Sequence, residues 1–595
     1  MTRVHKYIAF LLATLTISLS ACAGPTHQEP PSFDADNSAL TWNNTSSFDN
    51  FFPLLEERYP DIKINPSSYA GANRTGYTWA QMRADDITDV LAISVILDEE
   101  LTSERLIDLS GYGFVDNLST AVLDQVAIDG GIYLLPVSTT FYGIYYNKTL
   151  MEEHGWELPA NYGELAALCA EIEDTGLLPG VISTQLTGNT FSAVFNLAKT
   201  DWLTTPEGIR WEQDFLAGNA SAAGHWENTM QLAQRYLDIG MFHTDPEDRD
   251  MNTVFQEYVE GRKCVFLTQA GGVKTQQLDN GDELGMMPYI GADGSKNIYM
   301  YNPTTYIGLS KRLLEPGNEE KLSSALKMLE LMFSDEGQAA FITGSSPCVL
   351  GVLNNNNMPE DAFAYDAQEA MREGRAFPMT YAHWENVLSD MGQAFKDWFR
   401  GVEGTDGAWA IERMDELQTG YLHNADEVYF CESKADFTVE QTAALVGKAL
   451  GSNVGVDAVM VAVGSERDSG VTVGAGITGK LYKEHINADV ANSVMPYYDG
   501  EYAVMTMTGA QAKQMQSAGL PVEGDAVPFE YLLVTKGNQE LADDQTYRVA
   551  FLMNGYTEEM AEAYSVQVEK ASIRAIFREW LAEQRTVSPD GNPWN

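Results

Sequence analysis

The chain has 595 residues and carries 37 Lys plus Arg against 85 Asp plus Glu, a formal net charge of −48. Such an excess of acid keeps a chain soluble and repels nucleic acid, whose binding depends on Lys and Arg meeting phosphate; anionic membrane surfaces and sulfated glycans are repelled as well, whereas neutral or cationic small solutes suit it. Hydrophobic residues make up 44% of the chain, an ordinary globular composition, and the length exceeds one core and points to about three or four compact units.

At the N-terminus, Arg3 and Lys6 precede an apolar run from Tyr7 to Leu19, and small residues follow. That order is the pattern of an export signal, and the run is shorter than the roughly 20 residues that span a bilayer. Leu19-Ser20-Ala21-Cys22 resembles the lipobox of bacterial lipoproteins. The resemblance implies that residues 1–21 are a signal peptide and that Cys22 becomes a lipidated first residue, anchoring the protein outside the cytoplasmic membrane. Loss of residues 1–21 removes two bases and no acid, taking the net charge from −48 to −50. Residues 22–36 are polar and proline-rich and read as a tether.

A strand is predicted at Leu40-Thr41-Trp42-Asn43. A helix follows, with Phe51, Leu54, Leu55 and Tyr59 at helical spacing and Pro60 ending it. Ile62-Lys63-Ile64 and Thr88 to Ile93 read as further strands, and the alternation of strand and helix predicts a parallel sheet. Next come GGIYLLPVSTTFYGIYYNK at 130–148, a helix around Leu165 to Ile172, a long helical region at 225–260 and a buried strand at 261–268. Leu322, Leu326, Leu329 and Phe333 share a helical face within 319–341, and helical patterns continue to about Leu422. Composition shifts at 423–436, placing a boundary near Ala425. Beyond it strands become denser, at Val459–Val463, Tyr502–Met507, Tyr531–Thr535 and Tyr547–Leu552.

Several segments over 37–425 resemble, in order, the extracellular solute-binding proteins of sugar-type ABC importers. They are Leu40-Thr41-Trp42-Asn43 with its helix; Asp89-Val90-Leu91; Gly131-Ile132-Tyr133-Leu134-Leu135-Pro136 followed by Tyr145-Tyr146-Asn147-Lys148; Gly261-Arg262-Lys263-Cys264-Val265; and Thr305 to Lys311. The resemblance implies an α/β fold of two lobes joined by a hinge, closing on a solute. It implies a ligand site drawn from Trp42, Asn43, Thr140, Tyr142, Gln269, Asn302 and Tyr306. Two positions depart from the family pattern. Thr140 stands where maltose-type members hold a carboxylate, and Gly271 stands where many place a stacking Trp.

Residues 428–595 resemble the C-terminal domain of bacterial 5′-nucleotidases, a separate α/β (α+β) unit. The matching pieces include Gly464 to Ser469, Gly476-Ile477-Thr478-Gly479-Lys480-Leu481-Tyr482, Met495-Pro496-Tyr497, Thr508-Gly509-Ala510-Gln511 and Thr546-Tyr547-Arg548-Val549-Ala550. In that family two aromatic rings and an arginine hold a nucleoside. Carried over, these are Tyr497 with Phe551 or Tyr556, and Arg467. The loop between the ring positions is shortened here.

Nucleotide hydrolysis of that kind uses two metals about 3.5–4 Å apart, held by His and carboxylates. The eight His, at 5, 27, 154, 225, 243, 383, 423 and 485, form no such motif, and no Gly-x-Ser-x-Gly, P-loop or His-Glu-x-x-His is present. Besides Cys22, the cysteines Cys169, Cys264, Cys348 and Cys431 lie far apart in no zinc or disulfide-scaffold pattern. The expectation is a lipid-anchored protein without catalytic residues, metal or cofactor. It captures a small solute, a carbohydrate, for the permease subunits of an ABC importer, and carries a non-catalytic nucleotidase-like domain. Two other readings stand beside it: a surface nucleoside-binding protein or nucleotide hydrolase acting through the C-terminal domain, and a surface sensor or scaffold.

Overall fold

In the computed structural model, residues 39–594 are described apart from 44–49, 68, 70–73, 269–272, 293, 295, 304, 344–345, 355–359, 381–383, 428, 464–475, 496–499, 519–529 and 553–564. The strand Leu40–Asn43 forms as expected and pairs in parallel with Ile64–Ser67 and Val90–Ile93. The helix Phe51–Arg58 buries Phe51 and Leu55 in the first-lobe core. It accepts Pro53 because the first turn of a helix leaves its N–H groups unpaired. The second strand begins at Ile64 rather than Ile62 and runs through Pro66, which is tolerated because this is the sheet edge.

The expected parallel sheet forms in its first three strands and is mixed beyond them. Tyr306–Leu309 lies antiparallel to both Val90–Ile93 and Leu135–Pro136. The reason is the route of the chain: both added strands belong to segments that pass between two lobes. Leu135–Pro136 lies in the first-lobe sheet, Thr139–Tyr142 in a small central sheet, and Ile144–Asn147 in the sheet of a second lobe. The return runs from Tyr299–Pro303 in the central sheet to Tyr306–Leu309. Val349–Leu350 and Ala376–Pro378 complete the central sheet, whose order is Val349–Leu350, Thr139–Tyr142, Tyr299–Pro303, Ala376–Pro378. This sheet, termed the hinge sheet, lies where the chain crosses between the two lobes of an α/β fold. Gly143 sits at the crossing because a Cβ there would stand 2.5 Å from the Met287 carbonyl oxygen.

The second-lobe sheet is ordered Leu284–Met287, Ile144–Asn147, Cys264–Leu267, Leu178–Val181. Helix Thr187–Ala198 is buried from Asn189 onward and packs against helix Glu385–Phe399. Gly392 permits that approach, since a Cβ would meet the Thr187 carbonyl oxygen at 2.1 Å. Around them Phe191, Phe195, Trp211, Phe215, Trp226 and Trp384 make one aromatic core. The expected helical region over 225–260 forms in separate pieces. Glu227–Asp238 is regular, and after an irregular stretch Met251–Val254 continues into a wide turn at Phe255–Glu260. The 319–341 segment is two helices, Glu319–Met332 and Asp335–Ile342, divided where the Ser334 hydroxyl accepts from the Gly337 N–H.

Helix Gly407–Glu427 runs across Ala425, and a new sheet begins at Cys431. Residues 431–594 contain a five-stranded sheet ordered Glu530–Thr535, Ala458–Val463, Thr546–Leu552, Gly500–Thr508, Gln567–Ala571. Ala458–Val463 is apolar throughout because both faces are covered. Val459, Val461 and Val463 pack with helices Val439–Val454 and Ile573–Gln584, and Ala458, Met460 and Ala462 pack on the other side.

Candidate functional site

The hinge sheet assembles the candidate site by pleat and register. Thr140 and Tyr142 are two residues apart on one strand and so share a face. Asn302 lies opposite Thr140, Met300 opposite Tyr142, and Phe377 opposite Met300. That face therefore carries a hydroxyl, a phenol and a carboxamide beside an apolar patch of Met300, Phe377, Ile298 and Met379. Thr140, Tyr142 and Asn302 are each half-buried. The opposite face, with Phe141 and Tyr301, is buried in a core; there the Tyr301 hydroxyl accepts from Gln125 Nε2 at 2.5 Å.

The other expected residues stand apart from this row. Trp42 is fully buried in the first-lobe core, edge-on to Phe52 at 5.3 Å. It is a packing residue in this conformation. Asn43 uses its carboxamide like a peptide group: Nδ2 donates to the Ala92 carbonyl at 3.0 Å, and Oδ1 accepts from the Ala92 N–H at 2.6 Å. It ties Leu40–Asn43 to Val90–Ile93, where backbone pairing is sparse. Tyr306 is half-buried at the hinge end of its strand, paired with Ile93 and Pro136. Burial raises its hydroxyl to about 12, so it remains a neutral donor at neutral pH. Gln269 lies outside the described residues, as do Cys22, Arg467, Tyr497 and Tyr556. Phe551 is described: it is fully buried in the sheet core, so its ring is not presented to a nucleoside.

Beside Phe377 the second lobe opens into a cavity of about 400 Å³, walled by Leu203, Ile209, Leu216, Phe377 and Pro378. Its polar end is an ion pair that sequence reasoning missed. Lys199 Nζ lies 2.9 Å from Glu212 Oε2, and the two side chains are 4% and 7% exposed. Glu212 Oε1 also accepts from Thr380 Oγ1 at 2.6 Å and from Trp384 Nε1 at 2.8 Å. Thirteen residues separate the pair across a wide helical turn, so no sequence spacing announces it. Among the described residues no cluster of three or more His, Cys, Asp or Glu is placed to hold a metal, and no helix is long and apolar enough to cross a membrane.

Residues 41–339 match the family model described as bacterial extracellular solute-binding protein. A multiple sugar-binding protein of Streptococcus mutans is 24% identical over 122 residues, which cover 20% of this chain and 29% of that protein's length. Among solved structures, a binding protein of Bacillus subtilis in an open conformation has a TM-score of 0.54 at 15% identity, covering 66% of this chain and 100% of that one. The solute-binding protein RafE in complex with raffinose has a TM-score of 0.50 at 16% identity, covering 65% and 100%. A sugar transporter of Bacillus licheniformis in complex with stachyose has a TM-score of 0.50 at 16% identity, covering 64% and 98%. At these identities the likeness is one of fold: two lobes about a hinge.

Proposed function

Because this chain belongs to the bacterial extracellular solute-binding proteins, we propose that it captures a small carbohydrate outside the cytoplasm and delivers it to the permease subunits of an ABC importer. The observation that carries this reading is the half-buried row of Thr140, Tyr142 and Asn302 on the hinge sheet. A phenol ring beside a hydroxyl and a carboxamide suits a polyol: the ring covers the apolar face of a sugar and the polar groups meet its hydroxyls. Tyr306 stands at the end of a strand leading from the same sheet. The apolar flank and the cavity beyond Phe377 leave room for a ligand larger than one sugar ring.

Under this reading Cys22 carries the lipid that holds the protein at the cell surface. One acyl chain gives only marginal binding, so a lasting anchor takes more than one. Residues 428–595 serve as a nucleotidase-like accessory without catalysis. The buried position of Phe551 weighs against a nucleoside grip there.

The test is thermal unfolding of residues 23–595 with raffinose and stachyose, the sugars bound by two of the like-folded proteins, and with a wider panel of saccharides and nucleosides. A solute at 100 times its Kd stabilises the unit that holds it by about 2.7 kcal/mol. A saccharide shift that disappears in Tyr142→Ala is the expected result. A shift with nucleosides and none with any saccharide would overturn the reading.

A further inference from the structure

The unit built from residues 431–594 is attached to both lobes, by different means. Its covalent connection is helix Gly407–Glu427, which is seated on the second lobe. Ala410, Ile411, Met414 and Leu417 belong to that lobe's core. Gln418 Nε2 donates to the Phe215 carbonyl at 2.8 Å, and Asp415 accepts from the Ala222 N–H at 2.6 Å.

Its non-covalent attachment is to the first lobe, at helix Arg74–Ala84 and the turn after it. The Tyr482 hydroxyl donates to Asp86 Oδ2 at 2.8 Å, and Lys480 Nζ reaches the same oxygen at 3.1 Å. The Lys480 backbone N–H donates to the Tyr77 hydroxyl at 3.2 Å, and Arg83 Nε to Glu484 Oε2 at 3.1 Å. Tyr69 stacks on Tyr77 at 4.6 Å and donates its hydroxyl to the Ser493 carbonyl, and Tyr77 faces Tyr482 at 6.3 Å. Tyr77, Ala80 and Tyr482, at 7%, 2% and 4% exposure, form a small core of their own at this junction. Helix Ala488–Ser493 packs beside it.

We propose that the C-terminal unit is a clasp that couples the two lobes and restricts the range over which they separate. A two-lobed protein with only a hinge between its lobes samples open and closed forms freely, and its solute affinity scales with the population of the binding-competent form. Here the C-terminal unit contacts one lobe and is joined through a helix to the other. The lobes change their separation only if helix Gly407–Glu427 pivots on the second lobe or the Tyr77–Tyr482–Asp86 contact slips on the first. A buried tyrosine pair with directed hydrogen bonds resists sliding, because each bond is lost before a new one forms. The C-terminal unit thereby sets how readily the cleft opens and closes, without touching the solute.

The experiment needs no solute, so its outcome is independent of the proposed ligand. Spin labels on introduced cysteines at Glu57 and Glu171, exposed positions on the first and second lobes, report the inter-lobe distance distribution in residues 23–595, which lack Cys22; the cysteines at 169, 264, 348 and 431 are buried. Arg83→Glu with Asp86→Lys reverses both charges on the first-lobe side and leaves the C-terminal core untouched. The distribution is expected to shift and broaden, and adding Lys480→Asp with Glu484→Arg is expected to bring it back. An unchanged distribution in the first variant overturns the clasp. So does a broadening that the compensating pair fails to reverse, since the change would then not arise at this contact.

Discussion

Glu212 sits 7% exposed with Lys199, Thr380 and Trp384 all donating to it. Removing one member of a buried ion pair strands the other charge away from water, at a cost of about 3–5 kcal/mol. Glu212→Ala is therefore expected to lower the urea midpoint of the second lobe sharply, whereas Thr380→Val, which deletes one neutral donor, is expected to cost about 1 kcal/mol. Equal effects from the two would mean that the charge is not what matters there. Asp245 makes a second electrostatic prediction. Its side chain is 2% exposed and takes Arg249 Nη2 at 2.7 Å, Arg249 Nε at 3.0 Å and the Tyr258 hydroxyl at 3.1 Å. Chiefly through the Arg249 hydrogen bonds, its carboxyl is held well below the usual range. A depressed folded-state pKa adds stability above the unfolded value of about 3.9, and that stability is lost as pH falls toward the folded value. Asp245→Asn should hence be less stable than the parent at neutral pH, with the gap closing as unfolding is measured at pH below about 4; a gap that stays constant with pH would contradict it. Of these residues the sequence advertised little. Family order singled out Thr140, Tyr142 and Asn302 as candidates, and strand register sets them on one face of a sheet, which no local pattern states. Trp42 follows from the same family order and is buried, since an aromatic inside a sheet serves packing as readily as stacking.

At the scale of elements, the hinge depends on close backbone approach. Gly143→Ala would drive a Cβ to 2.5 Å from a backbone oxygen of Leu284–Met287, which does not yield as a side chain does. Overpacking of this kind costs about 1–3 kcal/mol, and the same inter-lobe distance measurement should show a displaced hinge in this variant. At the other end of the chain, helix Val439–Val454 opens with a capping box: Thr438 Oγ1 accepts from the Gln441 N–H, and the Gln441 side chain accepts from the Thr438 N–H. Thr438→Ala should cost about 1 kcal/mol, seen as a lower melting point for the C-terminal unit while the two-lobed part is unmoved. Element positions were readable where pattern and punctuation agreed, as at Phe51–Arg58 before Pro60 and at the apolar run Ala458–Val463. The pattern was coarser at 225–260, where Asp245 and Arg249 hold an irregular turn inside a helical region.

For the whole molecule, the core of residues 431–594 is distinct from the cores of the two lobes. Cores that share few contacts need not melt together, so denaturant unfolding should show more than one transition. A bound saccharide should move only the transition of the two-lobed part, and a single transition with one common shift would show tighter coupling than separate cores imply.

The amino-acid order by itself determined the acidic charge, the α/β class and most of the order of strands and helices, because each is written in local composition and periodicity. Tertiary structure alone decided the mixed sheet, the partners of Glu212, the burial of Trp42 and Phe551, and the junction of Asp86 with Tyr482. Those depend on which way a strand enters its sheet and on contacts between residues as much as 396 positions apart, which no local pattern encodes.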